Sequence, residues 1–150
     1  MKTITTLIVF LSLCTLSSFA QQSLNLSVKE KSDDPITNLE RSHLLELKNN
    51  SNKTVTVNIV TEETTCSNVT KQAQTTLIKE VYTKNSSTKL SQFSISPNQS
   101  IEFYLKTIRP KNTKLNTWNC TKVSVVSNDQ KTASNSIIIS TLIPNPNDAN

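Results

Sequence analysis

Val55, Val57 and Ile59 alternate with Thr54, Thr56 and Asn58, and the same period of two returns where Ile101, Phe103 and Leu105 alternate with Glu102, Tyr104 and Lys106. Successive side chains of a strand point to opposite faces, so this pattern describes strands with one dry and one wet face. Leu24, Leu26 and Val28 repeat it, as do Leu45 and Leu47, and no stretch carries the period of an amphipathic helix. Strands are expected at residues 24–28, 43–48, 55–59, 77–83, 90–95, 101–106, 117–127 and 137–143. Residues 29–41 read as a charged loop, and 62–89 have the weakest pattern. About seven to nine short strands joined by Asn- and Pro-rich turns predict an all-β, two-sheet antiparallel sandwich.

The turns add a constraint, because the 150 residues include no glycine. Left-handed turn positions then fall to asparagine, whose short polar side chain tolerates them. Residues 49–52, 84–86, 97–98 and 128–129 are where such positions are expected. Asn, Ser and Thr together make up 58 of 150 residues, a composition of strands and turns.

The amino terminus reads as an export signal. Lys2 precedes an apolar run from Leu7 to Leu16, followed by Ser17, Ser18, Phe19, Ala20 and Gln21. Small side chains at Ser18 and Ala20 set cleavage after Ala20. The run is about half the ~20 residues of a spanning helix, and no later segment is long and apolar enough to cross a bilayer. Residues 1–20 are read as a signal peptide, 21–143 as one domain and 144–150 as a short tail. The protein is expected outside the cytoplasm, in the periplasm, at the cell surface or in the medium. Without Lys2, 15 basic residues face 11 acidic ones. They are scattered, which serves solubility rather than nucleic-acid binding.

Removing the leader takes Cys14 with it and leaves Cys66 and Cys120. Outside the cytoplasm two cysteines pair by default. Closing a loop of that length contributes ~4 kcal/mol by chain entropy. Two free thiols, or a metal held by Cys66, Cys120 and His43, are the alternatives. His43, beside Leu44 at a strand start, is expected at the surface or a strand edge. Without glycine there is no phosphate loop, dinucleotide fingerprint or usual nucleophile elbow, and one histidine cannot build H-E-x-x-H. Asp33-Asp34 and Glu62-Glu63 read as solvated loop carboxylates. No catalytic, cofactor or metal residue is assigned, and the chain is read as a non-enzyme.

The segment from Ser96 to Ser127 runs Ser-Pro-Asn-Gln-Ser, Ile101-Glu-Phe-Tyr-Leu, Ile108-Arg-Pro and Asn116-Thr-Trp-Asn-Cys-Thr-Lys-Val. With the strand-turn-strand of Leu45 to Ile59, it resembles bacterial exported immunoglobulin-like or fibronectin type III-like sandwiches. The Phe19-Ala20-Gln21-Gln22 junction is similar to signals of Bacteroidetes-type bacteria. Trp118, two residues before the second cysteine, stands where antibody domains have tyrosine. The resemblance implies an adhesion, spacing or assembly role, with a protein or cell-surface glycan as partner. The alternative is a carbohydrate-binding module using aromatic and Asn-rich strand faces. Phe103 and Trp118 are expected in the core, and Tyr104, facing the other way, is the candidate ligand-surface residue. Seven N-x-S/T sequons, at Asn25, Asn49, Asn52, Asn68, Asn85, Asn98 and Asn119, are read as products of the composition.

Overall fold

The alternating segments form eight strands: β1 (Leu24–Val28), β2 (Glu40–Asn49), β3 (Val55–Thr64), β4 (Ile78–Thr83), β5 (Gln92–Ile95), β6 (Ser100–Ile108), β7 (Thr117–Ser127) and β8 (Ile137–Ile143). The computed structural model describes residues 22–30, 39–67, 69–70, 73–85 and 88–148. The expected signal segment, Asp33-Asp34 and the Asn68 sequon lie outside the described residues. Pro146–Asp148 form one turn of 3-10 helix.

Two four-stranded antiparallel sheets result, ordered β1-β2-β6-β4 and β5-β3-β7-β8. Setting β5 aside, the first, second, sixth and fourth strands share one sheet, and the third, seventh and eighth share the other. That is the strand order of an immunoglobulin-type sandwich, with β5 added as a short edge beside β3. The fold is an immunoglobulin-like antiparallel β-sandwich.

The strand period decides what fills it. Leu24, Leu26, Leu45, Leu47, Phe103 and Leu105 of the first sheet meet Val57, Val123, Val125 and Ile139 of the second in one buried cluster. Phe93 packs on Phe103 with ring centroids 6.0 Å apart.

Polar side chains close the fold where glycine is missing. Asn98 and Asn116 take the left-handed conformation, with φ of 57° and 54°. In the turn after β7 that position falls on Gln130, with φ of 57°, rather than on residues 128–129. The cause is Asp129, whose Oδ1 accepts from Ser127 Oγ at 2.5 Å and from the Lys131 N–H at 3.2 Å. Among the described residues of 49–52 and 84–86 none is left-handed. At the first of these turns side-chain bonding does the work instead. Asn49 is fully buried at the end of β2. Its Nδ2 donates to the Lys53 carbonyl at 2.8 Å and the Ile95 carbonyl at 3.1 Å, and its Oδ1 accepts from the Ser51 N–H at 3.0 Å. The Asn135 amide caps the edge of β1: it accepts from the Leu26 N–H and donates to the Leu26 carbonyl, both at 2.7 Å. An edge so occupied offers no free pair for another strand at that residue.

Candidate functional site

The first sheet turns its odd-numbered β4 and β6 positions to the core, so the even-numbered residues of those strands face out. Tyr104 lies on this outer face, half-buried, directly opposite Tyr82 of β4 and Leu44 of β2. Leu44 is only 5% exposed although it points away from the core. Tyr82 and Tyr104 line a groove of about 510 Å³ with Ser42, Thr83, Lys84, Asn85 and Lys106.

Charge pairs frame the two rings. Lys106 sits 5.6 Å from the centre of the Tyr82 ring and 2.7 Å from Glu40. Tyr82 donates its hydroxyl to Glu80 Oε2, and Glu80 also pairs through Oε1 with Lys89 at 2.5 Å. These bonds hold the Glu80 carboxyl below its usual range, chiefly through Lys89, and push the Tyr82 hydroxyl up through Glu80. Glu46 and Glu102 stand opposite one another across β2 and β6. Like charges in that register repel, and each has its own lysine: Lys29 for Glu46 and Lys84 for Glu102. Exposed pairs of this kind contribute little stability. Their effect is to fix an aromatic and charged surface. Such a surface can stack a flat or ring-shaped ligand and donate hydrogen bonds beside it.

A second constellation lies between the sheets, at the end opposite Asn49. Here the buried polar residues at inward positions of β2, β6, β7 and β8 are His43, Thr107, Thr117, Asn119, Thr121 and Thr141, beside the small apolar pair Leu77 and Ile143. Glu63 of β3 reaches across to Lys79 of β4. Asn119 donates to Glu63 Oε2 at 2.7 Å and to the Thr75 carbonyl at 2.9 Å, and accepts from Thr121 Oγ1 at 2.9 Å. Burial draws the Lys79 ammonium down to about 8. The Glu63 carboxylate already serves two donors, which is the arrangement of a structural tie.

Several sequence expectations change here. His43 is not at a surface or strand edge: β2 starts three residues earlier than its apolar alternation suggests, and places His43 opposite Leu105 at 2% exposure. Glu62 and Glu63 are not in a loop, because β3 continues to Thr64 and sends them to opposite faces. Both carboxylates stay solvent-exposed as expected: Glu62 lies 3.5 Å from Lys122, and Glu63, on the other side of the strand, pairs with Lys79 while its side chain remains 40% exposed. Trp118 is half-buried on the outer face of its sheet rather than in the core, with Leu142 beside it across β7 and β8. Its place follows from register: Val123 and Val125 point inward, so even-numbered β7 residues point outward. Asn49 and Asn119 are buried sequon asparagines, whereas Asn25, Asn52, Asn85 and Asn98 are exposed.

Cys66 and Cys120 form a disulfide, with Cα atoms 5.3 Å apart. It does not cross between the sheets as the antibody bridge does. Cys120 belongs to β7, and Cys66 follows β3, its neighbour in the same sheet. The bridge anchors the segment after β3, where Gln74 accepts from the Cys66 N–H at 3.0 Å and the Thr75 N–H donates to the Trp118 carbonyl at 2.8 Å. Two oxidised sulfurs are not available as thiolate ligands, and among the described residues no three His, Cys, Asp or Glu side chains gather as a metal site. Among the same residues no helix is long and apolar enough to cross a membrane.

No family model and no curated protein matches the chain. Solved structures similar to the chain include the following three. The human CEP192 ASH/PapD-like domain 7 shares 8% identity at a TM-score of 0.39, over 83% of this chain and 87% of that one. The secreted serine protease VesC from Vibrio cholerae shares 16% at 0.38, over 78% of this chain and 22% of that one. The FixG-related protein from Vibrio parahaemolyticus shares 9% at 0.55, over 81% of this chain and 96% of that one. At that identity the last likeness is one of fold alone: this chain is similar to it as one β-sandwich is to another.

Proposed function

We propose that this chain is a non-catalytic interaction module, exported by cleavage after Ala20, that binds a partner protein through the outer face of the sheet β1-β2-β6-β4. The observation that carries the reading is the pairing of Tyr82 with Tyr104 on adjacent strands, in a groove framed by Lys84 and Lys106. Tyrosine is a residue that protein interfaces concentrate, since it supplies area and a hydroxyl at low entropy cost. The disulfide fits a compartment outside the cytoplasm. The bacterial, immunoglobulin-like adhesion role implied by the sequence resemblance belongs to this same reading.

The test is capture from envelope extract by the wild type and by a Tyr82→Ala, Tyr104→Ala double variant with an unchanged urea midpoint. The expected result is a specific partner whose recovery falls at least tenfold in the variant. Equal recovery, or no specific partner, overturns the proposal. One observation favours a second reading: two outward tyrosines side by side form a platform on which a sugar ring can stack. A glycan-array signal lost in Tyr104→Ala supports that version, and an array without hits removes it.

A further inference from the structure

We propose that a recess at the end of the sandwich, between the β6–β7 connection and the segment after β8, binds an acidic, apolar segment of a partner protein. This site is separate from the tyrosine groove and does not depend on it. The recess has a volume of about 420 Å³, with Arg109, Lys111, Leu115, Pro144 and Pro146 in its lining. Among the described residues two cations line it and no carboxylate does. Leu115 is 38% exposed there, one of the few large apolar side chains left open among those residues.

The walls are held before any ligand arrives. The Thr113 hydroxyl donates to the Pro110 carbonyl at 2.7 Å, the Asn116 N–H to the Ile143 carbonyl at 2.7 Å, and the Asn145 N–H to Asn116 Oδ1 at 2.9 Å. Prolines on the other wall fix their own backbone. Such preorganisation lowers the ordering cost of binding. Arg109 supplies the charge in a specific shape: a carboxylate is the partner that a planar guanidinium fork fits best.

The combination favours a peptide over other anions. Nucleic acid needs several phosphate contacts along a basic surface, and two lining cations do not supply them. A membrane is engaged by apolar groups that project, whereas Leu115 and the prolines line a recess. A segment with a carboxylate for Arg109 and an apolar side chain for Leu115 uses both halves.

The experiment titrates the cleaved protein into a fluorescein-labelled octapeptide of alternating leucine and glutamate, read by anisotropy. The leucine–lysine counterpart and phosphatidylglycerol vesicles serve as comparisons. The proposal expects saturable binding of the acidic peptide, at least tenfold weaker in Arg109→Gln, partly restored in Arg109→Lys, and unchanged in Tyr104→Ala. Urea midpoints establish that each variant is folded; should Arg109→Gln fail to fold, Lys111→Gln and Leu115→Asp carry the same expectation of weakened binding. No binding at millimolar protein, equal binding of the basic peptide, or affinity indifferent to the recess variants overturns it. So does a dependence on Arg109 seen with the vesicles and not with the peptide.

Discussion

The two ends of the space between the sheets are built by the same strands and held by different forces. At one end β6 and β7 contribute Phe103, Leu105, Val123 and Val125, which meet Leu45, Leu47 and Val57 in an apolar cluster. At the other end β6 and β7 contribute Thr107, Thr117, Asn119 and Thr121, facing His43, Lys79 and Glu63. These β6 and β7 side chains are buried at both ends, so burial does not distinguish them. The apolar end is stabilised by area removed from water, which is tolerant of direction. The polar end depends on donors meeting acceptors, which is not. The disulfide also sits at the polar end, fixing the segment that supplies the Thr75 carbonyl to Asn119.

The sharpest way to break this comparison is to truncate one anchor at each end. Phe103→Ala removes the largest fully buried side chain among the described residues. It is expected to lower the unfolding free energy by about 3–5 kcal/mol, read from the urea midpoint at unchanged slope. Asn119→Ala removes fewer atoms but deprives Glu63, the Thr75 carbonyl and Thr121 of a partner each. Its expected cost is about 1–3 kcal/mol. An Asn119→Ala loss as large as that of Phe103→Ala would mean that the polar end, not the apolar one, is the main anchor of the fold.

The difference between the ends also explains what the sequence made legible. Where alternation and burial coincide the strands are readable, and β1, β7 and β8 fall on the residues expected for them. At the polar end threonine and asparagine occupy inward positions, so the alternation loses contrast. In β7 hydrophobicity groups Trp118 and Cys120 with Val123 and Val125, but those pairs have opposite parity and face opposite ways. Only the register fixed by the valines separates them. Charged ends hid the true lengths of β2 and β3, and with them the burial of His43 and the pairing of Glu63 with Lys79. Tyr104 was readable as outward-facing from its own strand. Its companion Tyr82 was not, because pairing between β4 and β6 is a long-range fact that no local pattern states.

The smallest expected effect separates the ends by pH. Lys79 points inward beside Glu63, and its side chain is 10% exposed. Burial lowers its pKa from 10.5 to about 8. Between those two values the unfolded chain holds a proton that the folded chain has released. Stability rises with pH wherever the unfolded state binds more protons. The Lys79 contribution therefore strengthens the fold from about pH 8 to about 10.5 and is flat below that window. Tyr82 acts in the opposite sense, since its pKa is raised by Glu80 and the fold weakens as pH climbs past the hydroxyl's ordinary range. The total slope mixes the two, so the measurement is a difference. Urea midpoints of the wild type and Lys79→Met are compared at pH 7, 8, 9 and 10. Tyr82 is present in both and cancels. The wild type is expected to gain on the variant as pH rises through the window. The apolar cluster is built of side chains that do not titrate, so Leu45→Ala should give a difference from wild type that does not vary with pH. A Lys79→Met difference equally flat would show that the Glu63 carboxylate offsets the burial of the ammonium and keeps it as charged in the fold as outside it.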